Sequence, residues 1–156
     1  QAEELNNVRG GIVERDGTIN PFYYEVQKVF KQITDMEDIY LNFKWDGVKT
    51  YEGGRVINDQ FSMVYDQLDE LEEISKVHTD QDTVVGQFKK GNSYAYMVTN
   101  ASSPWAKESA HVDLTIDDYD YAIVVKQGQK EMVKLDKNVL SIDVPCGEGY
   151  FVVPVK

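Results

Sequence analysis

The chain has 156 residues, of which 42% are hydrophobic and 28% charged, so it can bury a core and suits one folded domain or a small domain with an appendage. Its 27 acidic and 16 basic side chains give a net charge of −11, and the densest basic stretch is Lys89-Lys90, so nucleic acid is not an expected partner. No apolar run approaches the roughly 18 residues of a membrane-spanning helix, and no membrane partner is expected either.

The opening Gln1-Ala2-Glu3-Glu4-Leu5-Asn6 is polar, has neither a cationic n-region nor an apolar h-region, and reads as a trimmed start. Residues 10–18 predict a brief extended piece that ends in an Asp16-Gly17 turn. A helix should follow, with Asn20 as N-cap and Pro21 in the first turn, where its missing N–H is not needed. Phe22, Val26, Val29, Ile33, Met36 and Tyr40 recur at alternating steps of four and three, which places them on one apolar face that must pack on something. Over 41–59 the helical period lapses, and Trp45-Asp46-Gly47 and Tyr51-Glu52-Gly53-Gly54 predict two turns on an aromatic-bearing loop or short hairpin. A second, weaker helical pattern runs through Phe61, Val64, Tyr65, Leu68 and Leu71, with Asp69, Glu70, Glu72 and Glu73 on its solvated face.

From Thr83 the period changes to two, and strands are predicted at 83–88, 93–100, 110–116, 121–126, 131–135, 139–143 and 150–155. Lys89-Lys90-Gly91-Asn92 and Lys126-Gln127-Gly128-Gln129 are hairpin signals, and Asp117-Asp118-Tyr119-Asp120 reads as a further turn. The expected fold class is α+β: one or two N-terminal helices packed on a C-terminal antiparallel β-sandwich of about seven strands. The expected division is 1–78, a helical leader and aromatic loop, and 79–156, the sandwich.

Catalytic and metal chemistry find little support in the residue pattern. Asp16-Gly17-Thr18 and Thr79-Asp80-Gln81-Asp82 lack the alternating register and closing Glu of a Ca²⁺ loop, and His78 and His111 form no zinc motif. There is no Gly-x-Ser-x-Gly elbow, and Gly10-Gly11 and Gly53-Gly54 lack the spacing of a phosphate cradle. The single Cys146, between Pro145 and Gly147, forms no intrachain disulfide and has no evident base beside it. No catalytic residue, metal or cofactor is therefore expected. Aromatic residues are the suggestive class, since rings stack on the apolar faces of sugars. Trp45, Tyr51 and Trp105, in predicted loops with polar neighbours, are the carbohydrate-binding candidates; the competing reading has them plug the joint between leader and sandwich. Tyr94 and Tyr96 share one side of a predicted strand.

Residues 12–29, with Asp16-Gly17, Asn20-Pro21, Tyr23-Tyr24 and Val26-Gln27-Lys28-Val29, resemble the end of a β-galactosidase-like glycoside hydrolase (β/α)₈ barrel, where such a pattern leads into the last barrel helix. Asp82-Thr83-Val84-Val85-Gly86-Gln87-Phe88, then Ala95-Tyr96-Met97-Val98-Thr99-Asn100, then Gly147-Glu148-Gly149-Tyr150-Phe151 are similar, in that order, to the C-terminal β-sandwich of the same family. The catalytic carboxylates of those barrels lie on earlier strands that this sequence does not contain, so no catalytic residue carries over. The resemblance implies a non-catalytic C-terminal accessory region whose partner is a catalytic (β/α)₈ barrel domain, upstream or in a longer chain, with carbohydrate as a further partner. The alternatives are a free-standing carbohydrate-binding module, and a protein-interaction module using the helix face of Phe22, Val26 and Val29.

Overall fold

The computed structural model of the chain describes residues 12–14, 16–53, 67–103, 105 and 107–156. Val13 bridges Ile19 around the Asp16-Gly17 turn, in which the Asp16 carboxylate accepts the Thr18 N–H at 2.9 Å. The helix α1, Phe22–Tyr40, begins where expected: the Asn20 side-chain oxygen accepts the Phe22 N–H at 3.0 Å, and Pro21 sits just ahead in helical conformation.

Nine strands follow among the described residues: β1 Lys44–Tyr51, β2 Ile74–Thr79, β3 Thr83–Lys90, β4 Ser93–Asn100, β5 Ala110–Ile116, β6 Tyr121–Lys126, β7 Gln129–Lys134, β8 Val139–Val144 and β9 Gly149–Val155. They form a six-stranded sheet, β1-β3-β4-β9-β6-β7, and a three-stranded sheet, β2-β5-β8, with antiparallel pairing throughout. The α+β class, a helix and an antiparallel two-sheet C-terminal region, is thus as the residue periodicity predicts, and β3 to β9 coincide with the seven expected strands. The hairpin signal at Gln127-Gly128 is met by φ values of 48° and 75°, which turn β6 into β7.

Two elements differ from expectation. Residues 44–51 form the edge strand β1 rather than an aromatic loop or short hairpin, and Ile74–Thr79 forms β2, a strand that the periodicity does not predict. A β-bulge between Trp45 and Gly47 buries Gly47 and Val48 in succession, which breaks the period-two signal of β1. The second helix is not seen where its C-terminal part is described: Gln67 bridges Val48, Leu71 is buried and bridges Ile74, and Glu73 takes φ 59° in a turn. Glu73 also leaves the solvated role expected of it, because its carboxylate accepts the Tyr119 hydroxyl at 2.8 Å. Phe61, Val64 and Tyr65 lie outside the described residues.

The core lies between the sheets, where Val85, Tyr96, Val98, Val124 and Val152 meet Val112, Leu114, Ile116, Leu140 and Val144. A second cluster lies on the outer face of the larger sheet, around Phe88, Ala95, Val125 and Phe151, with Met36, Ile39, Tyr40 and Phe43 against it. Only the last turns of α1 are anchored there. Tyr40 meets Phe88 and Phe151 edge to face at 5.3 and 5.8 Å, and Asp38 pairs with Lys130 at 2.5 Å. Farther back, Phe30 is 64% and Ile33 51% exposed, and no residue of α1 is fully buried.

Candidate functional site

Among the described residues, two concavities border the six-stranded sheet on the side of α1 and β1. The larger is a cleft of about 570 Å³ between α1 and the sheet, with Val29, Ile33, Met36, Phe88 and Met97 among its walls. Glu25, Lys28 and Glu148 also line it, and both Glu148 oxygens accept from the Gln127 side-chain amide at 3.1 Å. The smaller, of about 440 Å³, is an open corner where α1 hands over to β1, lined by Asn42, Lys44, Trp45, Asp46, Lys89, Lys90 and Gly91. Both fall in the size range of small-molecule sites.

The corner is built by the β1–β3 register. Trp45 is directly opposite Phe88, and its ring meets the Phe88 ring edge to face at 5.4 Å. Gly86 gives the indole room: a Cβ at that position would come within 3.0 Å of the ring. The indole is therefore supported from beneath and still 51% exposed. In the bulge, the Asp46 carboxylate accepts the buried Gln87 amide at 2.8 Å, and Gln87 in turn accepts the Glu72 N–H at 2.7 Å. Lys44 is directly opposite Lys89, and Lys90 donates to the Asn42 side chain at 3.3 Å. The Lys89 ammonium lies 5.2 Å from the centre of the Tyr94 ring. Contact with the Tyr94 side chain, and then the charges of Asp46 and Glu72, raise the Lys89 pKa above the usual lysine value.

The three aromatic candidates are not brought together. Tyr51 ends β1 opposite Thr83, six residues along the strand from Trp45, which is about 20 Å. It packs half-buried against the inter-sheet core, and burial pushes its phenol pKa up to about 12. Trp105, on the loop between β4 and β5, is 91% exposed. Of the tyrosine stripe, Tyr96 is fully buried and donates its hydroxyl to the Glu72 carbonyl, while Tyr94 packs partly buried against the same core. Burial, followed by the charge of Glu73, raises the Tyr96 pKa.

The lysines of the corner were visible in the sequence only as a basic pair in a hairpin. Their setting depends on residues 44–51 being a strand, which the bulge conceals: Lys44 and Lys89, one residue off the Trp45–Phe88 pair, point to the other face of the sheet, where Lys89 lies over Tyr94. On the opposite side of the sandwich, His111 Nδ1 lies 2.7 Å from Asp143 and Nε2 lies 3.4 Å from Asp113, with Asp80 accepting the His111 N–H at 2.8 Å. Among the described residues no group of three or more His, Cys, Asp or Glu is arranged to hold a metal, and no helix is long and apolar enough to cross a membrane. Cys146 is half-buried near the Ser102 and Ser103 carbonyls. No protein-family model, curated protein or solved structure matches the chain.

Proposed function

We propose that this chain is a non-catalytic C-terminal accessory region of a β-galactosidase-like glycoside hydrolase, which packs against the catalytic (β/α)₈ barrel and lends an aromatic contact to carbohydrate. The observation that carries the reading is the uncovered apolar stripe of α1, where Phe22, Val29, Phe30 and Ile33 are each more than half exposed above a cleft on an aromatic sheet face. A region that ends a barrel and starts a sandwich leaves such a stripe for the barrel to cover. The chain alone is expected to turn over no nitrophenyl β-galactoside, and amide exchange over residues 22–33 is expected to slow when the chain is joined to its barrel. Turnover by the chain alone, or unchanged exchange in the joined protein, would overturn the reading.

A second reading, a free-standing carbohydrate-binding module, is favoured by one specific feature, the half-exposed Trp45 ring seated on Phe88 in an open corner. Tryptophan-fluorescence titration with galactosides, glucans and xylans separates the two. Saturable binding without a barrel, lost in Trp45→Ala or in Trp105→Ala, supports the module; a flat titration with folded protein removes it.

A further inference from the structure

We infer that the free edge of β7 takes an extended acidic segment of another protein as an added strand, with carboxylates against Lys130 and Lys134 and an apolar side chain against Met132 between them. The inference goes beyond the proposed function and does not depend on it, since β7 belongs neither to the stripe of α1 nor to the Trp45 corner.

Main-chain hydrogen bonding is the first ground. β7 ends the six-stranded sheet and pairs with β6 alone. The opposite edge strand, β1, has chain laid along it: Gln67 bridges Val48, and the Leu68 N–H donates to the Val48 carbonyl at 2.7 Å. The two-residue turn Gln127-Gly128 makes Lys126 and Gln129 a hydrogen-bonded pair, so Glu131 and Val133 also bond to β6. The Leu135 N–H, donating to the Asp120 carbonyl at 2.9 Å, continues the same alternation. The N–H and C=O groups of Lys130, Met132 and Lys134 therefore point outward along the edge, and among the described residues no strand meets them. Donors and acceptors at this ladder spacing fit one further strand.

Side chains select the occupant. The residues with outward main chain also share the α1 side of the sheet: Lys130 is directly opposite Val125 and Met132 opposite Ile123, both in the outer cluster. Met132 is 64% exposed between the two lysines. A second copy of β7 laid antiparallel about Met132 would set Lys130 against Lys134 twice, and like charges so placed cost stability. A strand with acid, apolar and acid at alternate positions meets cation, thioether and cation instead. The lysines that bar self-pairing thus admit an acidic strand. Glu131 points to the core side and pairs with Lys126 at 2.6 Å, so it does not oppose the incoming acids. Lys130 shares its ammonium with Asp38, while Lys134 has no ion pair among the described residues. At physiological salt the screening length is about 8 Å, so these lysines act on a segment in contact more strongly than the distant acidic excess does.

The test is NMR titration of the whole chain with capped peptides. The probes are Thr-Glu-Thr-Val-Thr-Glu-Thr, the same peptide with lysine for glutamate, and the acidic peptide N-methylated at the amides that would bond β7. The expected result is saturable shifts centred on Lys130, Met132 and Lys134, with slowed exchange of those amides. Binding should be about fivefold or more weaker for the basic peptide, and lost on N-methylation. Lys134→Glu, at an exposed edge position, should narrow or reverse the preference for the acidic peptide. No binding of the acidic peptide to the folded chain, or shifts centred elsewhere, overturns the inference. Equal binding of acidic and basic peptides overturns the acidic assignment, and binding kept by the N-methylated peptide overturns strand addition. A dimer in sedimentation that slows the same amides makes a second copy the occupant and overturns the acidic partner.

Discussion

The two outer faces of the sandwich are built on opposite terms. On the three-stranded sheet, the side chains that point away from the core include polar groups that answer one another: His111 lies between Asp143 and Asp113, and Ser141 donates to Asp113 at 2.5 Å. On the six-stranded sheet, the outward side chains include an apolar cluster of Phe88, Ala95, Met97, Ile123, Val125, Phe151 and Val153, against which the last turns of α1 pack. A polar face with its partners supplied is complete in water. An aromatic face half covered by one helix invites a further surface, and both concavities lie along it. The contrast supports placing the function on the helix side.

If the outer aromatic cluster is a true second core, deleting its centre should cost as much as deleting the centre of the first. Phe151 is fully buried among Tyr40, Phe43 and Phe88, and Phe151→Ala is expected to cost about 3–5 kcal/mol in guanidinium unfolding. Leu114→Ala, in the inter-sheet core, is expected to cost about 2–5 kcal/mol. A loss below about 1.5 kcal/mol for Phe151→Ala would mean that the cluster collapses easily and that α1 is scarcely docked.

The β6–β7 turn sharpens the same point. Gly128 has φ 75°, and a Cβ there would come within 2.3 Å of the Asp35 carboxylate on α1. Gly128→Ala is therefore expected to cost about 1–2 kcal/mol for the left-handed backbone and to push the helix outward. Faster amide exchange at the C-terminal end of α1 would register that displacement. Unchanged exchange would show that the Asp35 side chain simply swings aside.

The uncovered half of α1 should behave as surface. Phe30→Ser, at a position 64% exposed, exchanges two residues of similar helix propensity and is expected to change stability by less than about 0.5 kcal/mol. A loss several times larger would show this stripe already packed in solution, and the comparison of the two faces would fail.

How much of this was legible in the sequence depended on regularity. The strands β3 to β9 pair without a register shift, and alternations such as Val112, Leu114 and Ile116 mark them directly. Among the described pairings, the shifts fall at Trp45/Gly47 in β1 and Ile74/Lys76 in β2, the two strands that periodicity did not reveal. A bulge turns consecutive residues to unexpected faces, so period-two reading fails where the local geometry is special. Trp45 was legible as an aromatic candidate, but neither its exposure nor its setting was, because its seat on Phe88 arises only through the β1–β3 register. The helix face was legible in full, and its partial cover was not, since an amphipathic period states which side is apolar and not what meets it.

The polar face should reveal itself through pH. The Asp143 carboxylate bonded to Nδ1 holds the His111 pKa above its ordinary 6.5, against desolvation, with further support from the charges of Asp113, Asp143 and Asp80. His78 is directly opposite Asp113 on the neighbouring strand. A folded pKa above the unfolded one means that the folded state binds the proton more tightly, so the contribution is complete below the unfolded pKa and is lost as pH rises through the folded pKa. The ring is about half exposed, and screened pairs of this kind contribute about 0.5 kcal/mol or less. Urea unfolding at about pH 5.5 and about pH 8.5 should therefore show a small loss at the higher pH that His111→Asn abolishes. Equal pH dependence in the two chains would mean that the carboxylates around His111 bind water as well as they bind the imidazolium, and that this face owes its completeness to solvation rather than to its own ion pairs.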